Sequence, residues 1–218
     1  GNTWSVFQIT AVAGEPSVRA ILPTTFDGDA VAPGVQQVVL VGTTSNTGLF
    51  RSIDAGQTYT PISGTNGLPT GAVTQIISDP NNASRFFAGV VGQGVFRSDN
   101  GGLNWTAVNT NLTNLAGSTV VQVAAHPGGG TTVLHTLISG PNPVAFTSND
   151  GGNNWTALAA LPAGFTSTNN GLYTSRASDQ LTIDPTNSQI PYVSKGYGSS
   201  PFVLRYNPAA GGSWDTIE

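Results

Sequence analysis

Short apolar runs, each bounded by Gly, Pro, Asn, Asp or Ser, succeed one another along the chain and fall into four aligned sets. VRAILP (18–23), VTQIISDP (73–80), VVQVAAHP (120–127) and LTIDP (181–185) share one register. They are followed by VQQVVLVG (35–42), RFFAGVV (85–91), TVLHTLIS (132–139) and IPYVSKG (190–196). A third set is GLFRS (48–52), GVFRS (94–98), PVAFTS (143–148) and PFVLRY (201–206). Runs of this length, rich in Val, Ile, Phe and Thr and closed by turn residues, predict strands. No segment sustains a 3.6-residue period, so no helix of consequence is expected.

The fourth set is marked by a repeated polar turn and an aromatic residue. SIDAGQTYTPI begins at Ser52, SDNGGLNWTAV at Ser98 and SNDGGNNWTAL at Ser148, and a worn copy, YNPAAGGSWDTI, begins at Tyr206. GNTWSVFQI, at the start, reads as the second half of another copy. The anchors Trp4, Tyr59, Trp105, Trp155 and Trp214 stand 55, 46, 50 and 59 residues apart. That period, with four short strands per unit (A, B, C and D in chain order), describes propeller blades with loop insertions.

Composition narrows the function classes. Of 218 residues only 8% are charged, against about 25% in an average domain, and the formal net charge is −4 with Lys195 the only lysine. Neither a basic nucleic-acid surface nor a polybasic membrane patch can be assembled. Cysteine is absent, which removes disulfides, thiolate metal sites and a Cys nucleophile. No apolar run is long enough for a membrane-spanning helix. A lysine-poor, Thr/Asn/Gly-rich surface suits a secreted or cell-surface protein, whose export leader would lie outside these residues.

The repeat resembles the Asp-box β-propeller families, whose box reads Ser-x-Asp-x-Gly-x-x-Trp. Ser148, Asp150, Gly152 and Trp155 match it fully. Ser52, Asp54, Gly56 and Tyr59 match with Tyr for Trp, and Ser98, Asn100, Gly102 and Trp105 match with Asn for Asp. The last copy keeps Gly212 and Trp214 in shifted spacing. The resemblance implies an all-β propeller of four-stranded antiparallel blades, and it covers sialidases, xyloglucan-cleaving glycosidases, sortilin-type receptors and a photosystem II assembly factor. Fold is therefore implied more closely than function. Blades are expected at about 11–62, 63–108, 109–158 and 159–218, after an orphan outer strand within 1–10. Because both ends supply a D strand, the chain is expected to be part of a larger ring of six to ten blades. A compact ring closed through the N-terminal strand is the alternative.

In each box the Asp side chain is expected to accept backbone N–H groups, Gly to take positive φ, and the aromatic to fold over the turn. The boxes are therefore read as hairpin locks with no ligand. The A–B and C–D turns of an up-and-down blade share one face, so ligands are sought on the other, with the D–A and B–C loops. The longest of these, residues 159–178, carries Phe165, Tyr173 and Arg176; Asp179 follows it, and Lys195 and Tyr197 lie in the B–C loop of the same blade. Aromatic, Arg, Lys and Asp groups there suit a glycan or a peptide.

Catalysis is harder to assemble. A glycosidase needs two carboxylates at a set separation, and the chain has nine Asp and two Glu. Asp54, Asp99 and Asp150 belong to boxes, Asp79 and Asp184 precede proline in equivalent turns, and Asp27 and Asp29 sit in an insertion of the first blade. Sialidase chemistry is disfavoured: no Phe-Arg-Ile-Pro motif occurs, and Arg51, Arg97 and Arg205 recur at equivalent pre-box positions as blade parts would. His126 and His135 lack metal-ligand spacing. No cofactor or metal is expected. The reading is a non-catalytic scaffold that binds a protein or glycan partner alongside further blades or domains of the same protein. The alternative is part of a polysaccharide-active glycoside hydrolase.

Overall fold

The computed structural model describes residues 17–27, 37–162, 165, 179–195 and 202–217. They form sixteen strands in four antiparallel sheets of four, each in simple chain order. Blade 1 comprises β1 (Val18–Asp27), β2 (Gln37–Thr43), β3 (Leu49–Ser52) and β4 (Thr60–Pro61). Blade 2 comprises β5 (Val73–Asp79), β6 (Asn82–Val90), β7 (Gly94–Ser98) and β8 (Thr106–Ala107). Blade 3 comprises β9 (Val120–Gly128), β10 (Thr131–Ser139), β11 (Val144–Ser148) and β12 (Thr156–Ala157). Blade 4 comprises β13 (Asp179–Asp184), β14 (Asn187–Lys195), β15 (Phe202–Asn207) and β16 (Ser213–Ile217). Among the described residues the only helical turn is a 3-10 turn at Pro208–Ala210.

The hydrophobic pattern follows from this stacking. A middle strand flanked by blades on both sides is buried on both faces, so it reads as a continuous apolar run rather than an alternating one. In β10, Thr132 through Ser139 are all buried. The outer strands β4, β8 and β12 are two exposed residues each, too short to present a sticky edge.

The core lies between blades rather than within them. Leu40 and Leu49 of blade 1 pack with Ile76, Phe86 and Trp105 of blade 2. Phe87, Val95 and Val108 of blade 2 pack with Val121, Leu134 and Trp155 of blade 3. Leu137 and Ala145 pack with Phe165, Leu181, Val193 and Leu204 across the third joint, with Trp214 against them.

The box aromatic covers more than its own turn: Trp105 folds over that turn as expected, its Nε1–H donating to the Gly102 carbonyl at 3.1 Å. Trp105 and Trp155 are buried in the joint with the preceding blade. The Trp155 Nε1–H donates to the Val108 carbonyl at 2.7 Å, and Trp214 Nε1–H to the Ala159 carbonyl at 2.8 Å. An indole needs an apolar wall and one buried acceptor; for Trp155 and Trp214 the acceptor lies outside their own turn, in the segment after the preceding blade's last strand. Phe165, read from sequence as a residue of an exposed loop, is also a core residue of the third joint.

Glycine sets the closest approaches. A Cβ on Gly42 would stand 2.8 Å from the Val73 carbonyl oxygen, and one on Gly89 would stand 2.2 Å from that of Val121. Both residues lie at one register position of the B strand, where the blade meets the inner strand of the next.

Candidate functional site

The three well-kept boxes share one hydrogen-bond scheme. In the third, Ser148 Oγ–H donates to Asp150 Oδ1 at 2.7 Å, Gly152 N–H donates to Ser148 Oγ at 2.9 Å, and Asn154 N–H donates to Asp150 Oδ1 at 3.0 Å. The first repeats it with Ser52, Asp54, Gly56 and Thr58, the second with Ser98, Asn100, Gly102 and Asn104. Gly56, Gly102 and Gly152 have φ of 90°, 82° and 89°, a region that favours glycine.

These bonds dominate the local electrostatics. Burial raises the Asp54 carboxyl, but hydrogen bonds from Ser52, Thr58 and the backbone outweigh it and bring it down to about 2. Asp150 is lowered in the same way, its desolvation overcome by bonds from Asn154 and Ser148. Such groups hold charge firmly and are poor proton donors near neutrality.

The fourth turn is built by other chemistry and runs through the 3-10 turn Pro208–Ala210. Tyr206 stands where the other blades have Ser, and its ring meets Trp214 edge-on at 5.2 Å. Gly211 and Gly212 keep positive φ at 72° and 81°.

The box face also carries links between blades. Arg51 Nε–H donates to the Gly101 carbonyl at 2.9 Å, and Arg97 Nη1–H to the Gly151 carbonyl at 3.1 Å and to Asn153 Oδ1 at 3.0 Å. Each pre-box arginine thus ties the Gly-Gly turn of the next blade, as its repetition implied. Asp99 binds Arg85 Nε at 2.5 Å and Arg97 Nε at 3.1 Å. Desolvation raises its pKa, but the two arginines bring it below the usual range. Asp79, buried, accepts Thr132 Oγ1–H from blade 3 and pairs with Arg85 at 3.4 Å. Asp184 accepts Thr186 N–H at 2.8 Å in the equivalent turn, and Thr186 holds its carboxyl below the usual range.

Clefts open on this face between blades 1 and 2. One of about 350 Å³ is lined by Thr24, Asp79, Asn82 and Phe86. Another of about 240 Å³ lies among Arg51, Ile53, Asn66 and Leu103. On the B–C face a pocket of about 90 Å³ sits at Asn114, Gly140 and Asn142. The sequence placed binding only on the B–C side and gave no sign of the box-face clefts, which arise from side chains some 50 residues apart that only blade stacking brings together.

Of the residues proposed to meet a ligand, Asp179 and Lys195 are brought opposite each other in the register of β13 and β14, at the B–C end of blade 4. Tyr173, Arg176 and Tyr197 lie outside the described residues. No group of three or more His, Asp or Glu able to hold a metal occurs among the described residues.

The histidines have structural places at the joint of blades 3 and 4. His126 lies between the carbonyls of Pro127 and Pro185, at 2.7 and 3.2 Å. His135 Nε2–H donates to the Ser188 carbonyl at 2.8 Å, while its Nδ1 is buried without a hydrogen bond. Burial lowers its pKa to about 4, opposed by the bond to Ser188.

No family model matches the chain, and no curated protein matches it in sequence. Solved structures do match. An ancestral GH74 enzyme is 15% identical with a TM-score of 0.60, over 91% of this chain and 26% of its own. The GH74 xyloglucanase from Xanthomonas campestris is 18% identical with a TM-score of 0.56, over 87% of this chain and 28% of its own. YCF48 bound to D1 peptide is 14% identical with a TM-score of 0.55, over 100% of this chain and 59% of its own. The chain thus spans between a quarter and three fifths of the length of these proteins. At such identities the likeness is one of fold: an all-β propeller of four-stranded antiparallel blades.

Proposed function

We propose that the chain is a non-catalytic, extracytoplasmic segment of an Asp-box β-propeller, serving as a binding or structural scaffold for a protein or glycan. The supporting observation is how six of its described aspartates are used. Asp54 and Asp150 hold their own turns, Asp79 and Asp99 hold arginines, Asp184 binds Thr186, and Asp215 accepts Asn207 Nδ2–H at 3.0 Å. Carboxylates fixed by hydrogen bonds and ion pairs serve the fold, whereas a glycosidase acid needs a raised pKa. The neighbour that carries a bound peptide adds support for a protein partner. Tyr173, Arg176, Asp179, Lys195 and Tyr197 are the proposed ligand face.

A second reading, part of a polysaccharide-active glycoside hydrolase, is favoured by the likeness to GH74 enzymes. One experiment separates the two. The purified chain is incubated with xyloglucan and a broad panel of plant and bacterial polysaccharides, and both reducing ends and retention of the glycans are measured. Retention without turnover is expected. Turnover abolished by a single Asp→Asn change would overturn the scaffold reading.

A further inference from the structure

Arg51 and Arg97 hold one register position, each just before the serine of its box and opposite Leu40 and Phe87 respectively. Both reach the first box glycine of the next blade: Arg51 Nε–H donates to the Gly101 carbonyl and Arg97 Nη1–H to that of Gly151. Around that shared bond the two arginines differ. Arg97 has two further side-chain partners, Asp99 at 3.1 Å and Asn153 Oδ1 at 3.0 Å. Asp99 follows the serine of its own box, and Asn153 follows the second glycine of the next box. The residues in those two places around Arg51 are Ile53 and Leu103. Both acceptors are thus replaced by aliphatic side chains, and Arg51 forms no ion pair among the described residues.

Blade stacking brings the two replacements to one place. Ile53, Leu103 and Arg51 line the same cleft of about 240 Å³ on the box face. Ile53 is 44% exposed and Leu103 49%. A lone exposed aliphatic residue means little, but here two flank one cation, each where the next joint has a polar group. Asp54 of the same box does not line the cleft and is engaged by Ser52 and Thr58. Partial burial disfavours the Arg51 charge, which an incoming anion would compensate. Size and lining narrow the ligand. The volume is below the roughly 300 Å³ at which pockets hold a whole small molecule, so it suits one or two side chains of a longer chain. No aromatic ring lines it, so a sugar has no flat face to stack on. Thr60 and Asn66, also in the lining, offer hydrogen bonds to a peptide backbone.

We infer that this cleft docks a protein segment in which an acidic residue neighbours an aliphatic one. The carboxylate meets the Arg51 guanidinium, whose fork of donors suits it, and the aliphatic side chain lies between Ile53 and Leu103. The site is on the box face, whereas Asp179 and Lys195 lie on the B–C side. It is therefore separate from the ligand face proposed above. Polysaccharide turnover, which would overturn the scaffold reading, would leave this inference standing.

Fluorescence polarisation on the 218-residue chain provides the test. The probes are labelled, amidated Gly/Ser peptides with Leu-Asp or Leu-Glu at the centre, and the controls carry Leu-Asn, Leu-Gln or Ser-Asp there. The probes are expected to bind, more weakly as salt rises. Each control is expected to bind about tenfold or more weakly, having lost either the charge-assisted bond or the apolar contact. Ile53→Asp combined with Leu103→Asn gives Arg51 the partners that Arg97 has, and binding should be lost. Both changes install the repeat's own residues at exposed positions, so the urea midpoint of this double variant should not fall. No binding up to about 1 mM peptide overturns the inference. So does binding that survives the double variant, or controls that bind as well as the probes. Retention of a neutral glycan, or self-association of the chain, that disappears in the double variant would give the cleft to that occupant and overturn it too.

Discussion

Two joints of the same repeat are built from different parts. Between blades 2 and 3, Thr74 Oγ1–H donates to the Val121 carbonyl at 2.7 Å and accepts its N–H at 3.1 Å. Gly89 lets the inner strand of blade 3 approach, Arg97 ties the next turn, and Asp79 receives Thr132. Between blades 3 and 4 the equivalent positions hold Val121, Leu137, Thr147 and His126. The hydroxyl, the glycine, the arginine and the carboxylate are all replaced. Phe165 fills the space from a connecting segment, and His126 and His135 reach the turn of blade 4. One interface geometry accepts either a polar, close-packed solution or an apolar one with side chains inserted, because what repeats is the stacking of sheets rather than the contact chemistry.

The largest expected effect breaks the close-packed joint. Gly89→Val puts a branched side chain where even a Cβ would stand 2.2 Å from the Val121 oxygen and 3.0 Å from its carbonyl carbon. The inner strand of blade 3 must move, at a cost of about 3 kcal/mol or more. The third joint reverses the sign: there Leu137 fills the position, and removing it in Leu137→Ala leaves a cavity, at about 2–5 kcal/mol. Urea unfolding of both variants checks this; a silent Gly89→Val would mean that the two blades are not packed this closely.

The next effect separates the joints by pH. An unfolded histidine titrates near 6.5, whereas His135 in the fold titrates at about 4 because burial disfavours its charge. Above pH 6.5 it is neutral in both states and its packing contributes in full. Between pH 6.5 and 4 the unfolded chain takes up a proton that the folded chain refuses, so stability falls as pH falls, by about 3 kcal/mol in all. Below pH 4 this group adds no further loss. The carboxyl of Asp54 acts in a lower window, between its ordinary 3.8 and about 2. His135→Leu, which installs the residue found at the equivalent Leu40, should flatten the slope from pH 6.5 to 4 in urea midpoints. An unchanged slope would place the titrating group elsewhere.

Much of this was legible in the sequence, and unevenly. Strand order and the box turns could be read because they are local: Ser148, Asp150 and Gly152 bond within five residues, and glycine at positive φ leaves its mark in the letters. The recurrence of Arg51 and Arg97 was also a sound signal, since a part that repeats with the blade belongs to the blade. Contacts that cross a joint left no such mark. Nothing beside Trp155 announces that its acceptor is Val108, and nothing in AALPAGF shows that Phe165 turns inward while the rest of its segment was read as a ligand loop. The box-face clefts were missed for the same reason, being gaps between side chains of different repeats. The ligand face itself depends on long loops, where no repeat constrains the reading; there the register places only Asp179 and Lys195.

The smallest expected effect makes the second joint resemble the third at one point. Arg97→Thr copies the residue found at Thr147 and removes the bonds to Gly151 and Asn153 together with the pairing to Asp99. The ion pair counts for little, because Asp99 is 49% exposed and keeps Arg85. The charge-assisted bond to the Gly151 carbonyl counts for more, and the expected loss is about 1 kcal/mol. Thr147→Arg, the reverse change, should gain nothing, since the turn of blade 4 is diverted through the 3-10 turn Pro208–Ala210 before it reaches Gly211 and Gly212. Chemical denaturation of the pair is therefore diagnostic as an asymmetry: a loss in blade 2 with no gain in blade 3. Equal and opposite effects would show that the arginine acts through general charge on the box face rather than through a bond to the next turn.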